Sequence, residues 1–381
     1  MKLLVVSHAC ASPVNLRFYS ELQRQTQWDI TFTIPRNWKD EYGRILDASQ
    51  GGMFDGSKVL VPVRLSGDII LHSYRTSFAR QIRQLKPDAI YVNHEPYALA
   101  TAQVYFANRR TLRRPIGFYS CQNIVKRYPP PFCWMESMVF RQSSFAFPIS
   151  DKVKDVLRHK GYAGPAPVLP LGLDPTVYCP RDQIALREKL RGGDHQVLFG
   201  YVGRIVPEKG LLTLVRALAL IRDLPWRLVV VGTGPLEAEL DTLAASLGLA
   251  DRVKRVGFIP HEQTPDYLSA LDVLVVPSET QPNWKEQFGR VVIEAMACGT
   301  PVVGSDSGEI PKLIADTGGG LVFKERDAED LARQLSLLAR DPALRARLAG
   351  SGRAAVEQRY TLPAIVRCFS ETIAAAVRPS Q

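Results

Sequence analysis

The stretch QVLFGYVGRIVPEKGLLTLVRALALIRDLPWRLVVVG, residues 196–232, has a complete strand–helix–strand pattern. Its two ends, QVLFGYVGR and RLVVVG, are nearly continuous apolar runs, and a segment with apolar residues at helical spacing lies between them. A strand that is apolar throughout is covered on both faces, which is typical of parallel strands joined by crossover helices. The stretch therefore predicts a parallel α/β sheet.

Similar strands occur along the whole chain. The first half contains KLLVVS, DITFTIP, KVLVPV, DAIYVN, PIGFYS and FAFPIS, and the second half adds RVKRVGFI, DVLVVP, PVVGSD and GLVF. Helical patterns such as SYRTSFARQIRQLK and PLEAELDTLAASLGL separate them. Two such series predict two Rossmann-like, doubly wound domains, which bind ligands at the carboxyl ends of their strands.

Domain boundaries follow from the segment 161–180, which is rich in Pro and Gly and is typical of a connection. We expect an N-terminal domain over residues 1–172 and a C-terminal domain over residues 173–361. The amphipathic segment 362–378 has no strand after it and is expected to pack back on the first domain as a helix.

Composition narrows the class of protein. The 381 residues are 46% hydrophobic and 23% charged, a balance typical of soluble globular proteins. No run of about 18 apolar residues predicts a membrane span, and MKLLVVS is too short an apolar run for a secretory leader, so we interpret it as the first strand. The six cysteines are scattered without metal-ligand spacing, which favours reduced thiols, a cytoplasmic location and no structural zinc.

Charge is unevenly distributed. Residues 1–175 contain 23 Lys and Arg against 13 Asp and Glu, whereas residues 176–381 contain 25 of each kind. The densest part, residues 108–142, interleaves seven basic residues with six aromatic ones. Such a segment suits an anionic membrane surface. An ordinary solvated face over a buried strand is the other interpretation, and nucleic acid is disfavoured because no recognition motif accompanies the charge.

Two turns after predicted strands have the chemistry of a phosphate site. In GYVGRIVPEKG, Arg204 and Lys209 flank a turn opened by Gly203, which suits a diphosphate, although a solvated loop has the same composition. In VVVGTGPLEAEL, Gly232 and Gly234 form part of a dinucleotide fingerprint, but Glu237 occupies the place of its third glycine. A tight strand-to-helix turn explains this second motif better than a nicotinamide site.

The stretch WKEQFGRVVIEAMACGTPVV, residues 284–303, places Glu286 and Glu294 eight residues apart around a predicted helix start near Phe288 and Gly289. Eight helical residues rise about 12 Å. A helix N-terminus attracts phosphate, and carboxylates accept hydrogen bonds from sugar hydroxyls. The stretch thus suits a nucleotide-sugar, but an amphipathic helix with two surface glutamates is the alternative.

The combination of Glu286, Glu294, AMACGTPVVGSDSGEIPKLI and the upstream GYVGRIVPEKG resembles the retaining glycosyltransferases of family 4. The resemblance covers essentially the whole chain and is strongest over residues 197–325. It implies the GT-B fold, in which two Rossmann-like domains face each other across a cleft. It also implies transfer of a sugar from a nucleotide-diphosphate sugar to a hydroxyl.

The resemblance implies roles for residues of the second domain. Glu286 would contact the donor sugar, Glu294 would hold the ribose, and Arg204 and Lys209 would stabilise the leaving diphosphate, so Glu286, Arg204 and Lys209 are the catalytic candidates. The residues expected to border the nucleotide or support its phosphates are Gly203, Gly232, Phe258, Ile259, Gln287, Phe288, Gly289 and Glu294.

In the first domain, VNHEPYALAT resembles the His-Glu-Pro turn of bacterial lipid-directed members, which makes His94 and Glu95 candidates for the acceptor side. Many members have a histidine after the next strand, but here FYSCQN places Cys121, Gln122 and Asn123 there. Gln122 and Asn123 are therefore the candidates to donate a hydrogen bond from that position. Ser12, in the loop SHACASPVN, is a further candidate for contact with phosphate or acceptor.

The resemblance implies attack on the same face of the sugar as the leaving diphosphate. No Asp-x-Asp pair stands at a strand end, so we expect neither a required metal nor a cofactor. The acceptor is expected to be a lipid-linked or polysaccharide precursor of the cell envelope, with the protein in the cytoplasm or at the inner membrane face. A dinucleotide-dependent oxidoreductase and a non-catalytic sugar- or nucleic-acid-binding module are the alternatives.

Overall fold

The structure is a computed structural model that describes residues 1–40, 43–50, 56–192 and 196–378. Its contacts divide the chain into two compact units. The N-terminal unit comprises Met1–Gly172 together with Leu362–Gln381, and the C-terminal unit comprises Leu173–Thr361. Each unit is built on its own sheet.

The N-terminal unit contains a six-stranded sheet in the order β10-β9-β8-β1-β2-β5, with all neighbouring pairs parallel. Two short antiparallel pairs, β3 with β4 and β6 with β7, accompany it. The strands are β1 (Lys2–Ser7), β2 (Asp29–Pro35), β3 (Asn37–Lys39), β4 (Ile45–Asp47), β5 (Ser57–Val61), β6 (Val63–Arg64), β7 (Ser73–Tyr74), β8 (Ala89–Asn93), β9 (Ile116–Ser120) and β10 (Phe145–Pro148). The helices are α1 (Arg17–Thr26), α2 (Phe78–Leu85), α3 (Leu99–Arg109), α4 (Phe132–Gln142) and α5 (Asp151–His159).

Strand β1 shows why this sheet has a core on each face. Side chains alternate along a strand, so Leu3 and Val5 enter one hydrophobic cluster and Leu4 and Val6 enter another. All four are at most 1% exposed. A run without polar residues is therefore what a doubly covered central strand requires, and the parallel-sheet prediction is confirmed.

The C-terminal unit repeats the plan, with a six-stranded sheet in the order β13-β12-β11-β14-β15-β16 and parallel pairs throughout. Its strands are β11 (Val197–Val202), β12 (Trp226–Val231), β13 (Val253–Gly257), β14 (Val273–Val276), β15 (Val302–Ser305) and β16 (Gly320–Phe323). Its helices are α6 (Ile184–Arg191), α7 (Leu211–Leu220), α8 (Glu237–Ser246), α9 (Thr264–Ala270), α10 (Arg290–Ala297), α11 (Ile310–Thr317), α12 (Ala328–Arg340) and α13 (Pro342–Arg359).

The C-terminal helix α14 (Leu362–Val377) packs in the core of the N-terminal unit. Its Phe369 is fully buried and lies at a ring-centroid distance of 4.9 Å from Phe147 and 5.0 Å from Tyr91. Burying one such side chain contributes roughly 1.5–3 kcal/mol. This last helix is thus part of the first unit's core.

One predicted helix is wrong at its start. The sequence pattern predicts a helix throughout the segment 73–86, but Ser73 and Tyr74 form β7 and α2 begins at Phe78. The reason is Ser77, whose extended backbone ends the preceding segment and whose side chain accepts a hydrogen bond from the Arg80 amide, as an N-cap does. Within the described residues, none of the helices is both long and apolar enough to cross a membrane.

Candidate functional site

Three neighbouring strands of the C-terminal sheet end close together. Strand β11 lies between β12 and β14, and the residues just after their ends include Gly203, Gly232 and Ser278. Because the carboxyl ends of parallel strands share one edge of a sheet, this edge is where a doubly wound domain binds its ligand. The structure thus places Gly203 and Gly232, two of the predicted second-domain residues, at one sheet edge.

The two glycine turns touch each other through their backbones. Gly232 has a φ of +129°, and a Cβ added to it would lie 1.9 Å from the carbonyl oxygen of Gly203. The Gly203 amide donates to the Val231 carbonyl at 3.0 Å. Only a residue without a side chain fits at position 232. The contact between the two turns is therefore enough to require glycine there.

Lys209 and Glu286 form the central ion pair of this edge. The Lys209 Nζ donates to Glu286 Oε2 at 2.6 Å, and the Ser278 hydroxyl donates to the same oxygen at 2.9 Å. Lys209 also lies 4.9 Å from the centre of the Trp284 ring, within cation–π range. Glu286 is only 8% exposed, so its charge is compensated by these donors. Two of the three residues expected to carry catalysis, Lys209 and Glu286, are therefore in direct contact.

Glu286 is also fixed through its backbone. The loop after β15 approaches it so closely that a Cβ on Gly308 would lie 1.8 Å from the Glu286 carbonyl oxygen. The next residue, Glu309, donates its amide to that carbonyl at 3.3 Å. The glutamate is thus held by strand-end loops on both sides, which favours a fixed side-chain position.

Helix α10 begins immediately after this segment. Gly289 occupies its N-cap with a φ of +79°, Phe288 is buried, and Gln287 is exposed. The amides of a first helical turn have no partner within the helix, and their positive end favours an anion. The helix start predicted near Phe288 and Gly289 is found at Arg290.

Glu294 lies in the second half of α10 and is 5% exposed. Arg290, four residues earlier, forms an ion pair with its Oε1 at 2.9 Å. Among the described residues this oxygen accepts no hydrogen bond of good geometry. Burial, together with the nearby Glu294 charge, raises the pKa of the Tyr178 hydroxyl. Glu294 is therefore a buried carboxylate with an arginine and a tyrosine hydroxyl beside it, and its contact with a ribose stays a prediction.

Arg204 and the end of β13 complete the edge. The Arg204 guanidinium lies 3.8 Å from the Glu208 carboxylate, with its side chain 30% exposed. Phe258 and Ile259 follow β13 directly, and the Phe258 side chain is 50% exposed. These positions agree with contact to a diphosphate and a base, and the roles stay predictions.

In the N-terminal unit, His94 and Glu95 follow β8, while Gln122 and Asn123 follow β9. Glu95 accepts hydrogen bonds from the Ser120 hydroxyl at 2.7 Å and the Cys121 amide at 2.6 Å. Burial raises the pKa of its carboxyl to about 7, although these two hydrogen bonds act in the opposite direction. The carboxyl of Glu95 thus titrates near neutral pH.

The other predicted residues of this unit have local partners. Gln122 donates to the Tyr128 hydroxyl at 3.3 Å and accepts from the Ile124 amide at 3.2 Å. Ser12 joins two short 3-10 turns after β1, and its backbone carbonyl accepts a hydrogen bond from the Asn15 backbone amide at 3.1 Å. Their contact with an acceptor stays a prediction.

Sequence reasoning missed several residues of these edges. Ser278 and Gly308 each lie in a loop after a strand, and this position is the sequence feature that could have identified them as site residues. Trp284 has no such feature, because a single tryptophan in a polar loop does not show which cation it contacts. His8 and His72 were missed as well, although both meet His94 in the structure.

Comparison with known proteins identifies relatives of this chain. Residues 182–355 match the family model described as glycosyl transferases group 1. A D-inositol 3-phosphate glycosyltransferase of Stackebrandtia nassauensis is 40% identical over 194 residues, covering 48% of this chain and 42% of the relative. The alpha-D-kanosaminyltransferase of Streptomyces kanamyceticus is 31% identical over 237 residues, covering 61% and 60%. The chain spans about half the length of the curated relatives it matches.

Solved structures match over nearly the whole chain. A glycosyltransferase from Rickettsia africae superposes with a TM-score of 0.78 at 15% identity, covering 100% of this chain and 99% of the other. Anabaena Alr3699/HepE in complex with UDP superposes with a TM-score of 0.75 at 20% identity, covering 98% and 100%. These structures show that the fold is GT-B. The predicted resemblance to glycosyltransferases is confirmed by the family model that matches residues 182–355.

Proposed function

We propose that the protein is a retaining glycosyltransferase that moves a sugar from a nucleotide-diphosphate sugar to a hydroxyl. The observation that carries this proposal is the Lys209–Glu286 pair at the carboxyl edge of the C-terminal sheet, inside the region that matches the group 1 family. A cation, a carboxylate and a helix N-terminus at one strand edge provide groups for a diphosphate and for sugar hydroxyls.

The diphosphate of the donor would replace the carboxylates as the partner of the two cations at this edge. Lys209 and Arg204 each face a carboxylate in the structure, and both can turn to the diphosphate when it enters. Their charge would stabilise the negative charge that grows on the leaving group. Glu286 and Glu294 would then accept hydrogen bonds from hydroxyls of the sugar and of the ribose. The reaction would need no metal, because lysine and arginine neutralise the diphosphate.

Retention would result from attack on the face that the diphosphate leaves. The sugar would pass through an oxocarbenium-like state, and the departing phosphate oxygen would accept the proton of the attacking hydroxyl. Glu286 would hold the sugar during this step. The configuration of the product tests this part of the proposal independently of the rate.

The acceptor would be lipid-linked or carried at an anionic membrane surface. In the N-terminal unit Trp134 is 67% exposed and Phe106 is 42% exposed, and Arg109 and Arg110 at the end of α3 are exposed as well. Exposed aromatic rings beside basic residues suit the boundary between headgroups and water. A corynebacterial relative, 33% identical over 200 residues, is named for a mannosyl transfer to a phosphatidylinositol monomannoside.

The donor is identified by thermal unfolding with UDP-, GDP- and ADP-sugars. A donor present at 100 times its dissociation constant adds about 2.7 kcal/mol to the free energy of unfolding, so the correct base should raise the melting temperature clearly above the others. No shift with any nucleotide-sugar, combined with a shift on adding NAD, would favour the oxidoreductase alternative.

Turnover with the identified donor then separates an enzyme from a binding module. Glu286→Gln keeps the shape of the side chain and removes its charge, and we expect kcat to fall by roughly 10²–10³. Glu262→Gln is the matched control, because Glu262 is exposed in a 3-10 turn of the same unit. Equal rates for the two variants would contradict the assignment, and NMR of the anomeric proton shows whether configuration is retained.

Membrane contact is tested with liposomes of anionic lipid at low salt. The triple variant Arg109→Gln, Arg110→Gln and Arg113→Gln should bind less than the wild type, by about 1 kcal/mol per residue. The control removes three charges from exposed arginines of the C-terminal unit, namely Arg333, Arg340 and Arg353. Equal binding by both triple variants would contradict a specific membrane surface.

A further inference from the structure

Three imidazole rings meet at the carboxyl edge of the N-terminal sheet. His8 follows β1 and His94 follows β8, and these strands are paired so that Ser7 lies beside Asn93. The two histidines therefore come one residue past the ends of adjacent parallel strands. His72, immediately before β7, brings the third ring, and one nitrogen from each histidine lies within 4.8 Å of the others.

His72 has a lone pair that nothing in the described structure uses. Its Nδ1 lies 2.8 Å from the Asp68 carbonyl oxygen, and a carbonyl can only accept. The proton is therefore on Nδ1, and Nε2 is an acceptor. His72 is 0% exposed, and within the described residues its buried Nε2 has no hydrogen-bond partner. Such an atom is costly unless it binds something.

His94 also has a partner on one of its ring nitrogens. His94 is 3% exposed, its Nε2 lies 3.0 Å from the Tyr74 hydroxyl, and its Nδ1 lies 2.6 Å from Nδ1 of His8. Metal-bound histidines commonly use their second nitrogen in this manner, which fixes the ring and raises its basicity. His8 is partly buried, and its ring lies 4.6 Å from that of Trp38 and 4.7 Å from that of His94 between centroids.

We propose that His8, His72 and His94 form a binding site for a divalent transition-metal ion, with Zn²⁺ as the expected ion. Three imidazole nitrogens with a fourth position open to water is a known zinc coordination set, and imidazole is a ligand that suits Zn²⁺ better than Mg²⁺ or Ca²⁺. Nitrogens bound to one tetrahedral Zn²⁺ at about 2.0–2.1 Å lie roughly 3.4 Å apart. The His8 ring would therefore move away from His94 and the His72 ring would move in.

The tautomer of His72 agrees with this site. With its proton on Nδ1, which lies 2.8 Å from the Asp68 carbonyl oxygen, the ring presents an unprotonated Nε2. Neutral imidazole is the form that binds a metal. No carboxylate belongs to the three-residue group, so the ion would keep its positive charge and would hold water or an anionic oxygen in the fourth position.

This inference does not depend on the proposed transfer reaction. The expectation that the reaction needs no metal concerns the diphosphate, which is assigned to residues of the C-terminal unit. The expectation of no structural zinc rests on the spacing of the cysteines, none of which belongs to the histidine group. The histidine site belongs to the N-terminal unit and would be an additional ion site. Its test is therefore metal binding itself.

The experiment titrates tag-free, chelator-treated protein with Co²⁺. One equivalent should produce the visible absorption of tetrahedral Co²⁺, and Zn²⁺ should displace it. Trp38, whose ring lies 4.6 Å from His8 and 5.0 Å from His72 between centroids, should lose fluorescence as the paramagnetic ion binds. A wild-type protein that binds neither ion stoichiometrically would overturn the proposal.

Variants locate the ion. His72→Gln and His8→Asn should each weaken Co²⁺ binding by about 100-fold or more, and Tyr74→Phe should weaken it by roughly 10-fold through the orientation of His94. His159→Gln, which removes an exposed histidine of the same unit, is the matched control and should leave binding unchanged. If His72→Gln does not fold, His8→Asn decides. Undiminished binding by a folded cluster variant would place the ion elsewhere and refute the assignment.

Discussion

Burial decides how much the Lys209–Glu286 pair contributes to the free energy of unfolding. The side chains are 21% and 10% exposed, and the N–O distance is 2.6 Å. Lys209→Met removes a charge-assisted hydrogen bond from a nearly buried carboxylate, and we expect a loss of about 2 kcal/mol. Glu286→Gln keeps an acceptor for the ammonium and should cost about 1 kcal/mol.

The double variant isolates the interaction. With both charges removed, no unpaired charge stays buried, so the double variant should lose only about 1 kcal/mol of unfolding free energy. The sum of the two single losses should therefore exceed the loss of the double variant by about 2 kcal/mol. Urea unfolding of the full chain followed by circular dichroism measures all four proteins, and unchanged slopes show that the midpoints can be compared.

The Lys312–Asp316 pair provides the control. Its N–O distance is also 2.6 Å, but the side chains are 41% and 34% exposed. Lys312→Met should therefore cost no more than about 0.5 kcal/mol. Additive single effects at Lys209 and Glu286, or equal losses for the two lysine variants, would refute the reasoning that burial makes the difference.

Three further predictions concern glycine geometry, pH and core packing. Gly232→Ala should lower the free energy of unfolding by about 2–3 kcal/mol, because the new Cβ would meet a backbone carbonyl oxygen. Gly350→Ala is the control: it lies in an open helix position and should raise the free energy of unfolding slightly. Burial raises the pKa of Glu95 from 4.5 to about 7, so the folded chain binds an extra proton between these values and its stability should fall as pH rises from 5 to 8. The fall should be about 2–3 kcal/mol larger in the wild type than in Glu95→Gln, as read from urea midpoints. Phe369→Ala should lower the free energy of unfolding by about 3–4 kcal/mol, because the side chain is fully buried. Arg367→Ala, on the exposed side of the same helix, should change it by less than about 0.5 kcal/mol in the same assay.

The sheets could be predicted because burial on two faces leaves a strong pattern in the sequence. In β12, for example, the apolar run Leu228–Val231 has no polar interruption. The start of α2 could not be predicted, because the cap at Ser77 competes with a helical pattern that begins earlier. Local hydrogen bonds of this kind override periodicity.

The site was predictable in its residue types and less so in its contacts. Glu286 and Lys209 were found separately, each by its place beside a turn, but they are 77 residues apart and nothing in either motif shows that they pair. The histidine site illustrates the same limit. His8 and His94 meet because β1 and β8 are neighbours in the sheet, and strand order is a property of the whole fold.

The position of α14 has a consequence for biosynthesis. This helix fills the core of the first unit with Phe369, Val366 and Ile373, all fully buried, yet it leaves the ribosome after every strand of the second sheet. The nascent first unit must therefore wait with an open apolar groove while the second unit is made. Translation rate and chaperone access during that interval should govern the yield of correctly folded protein.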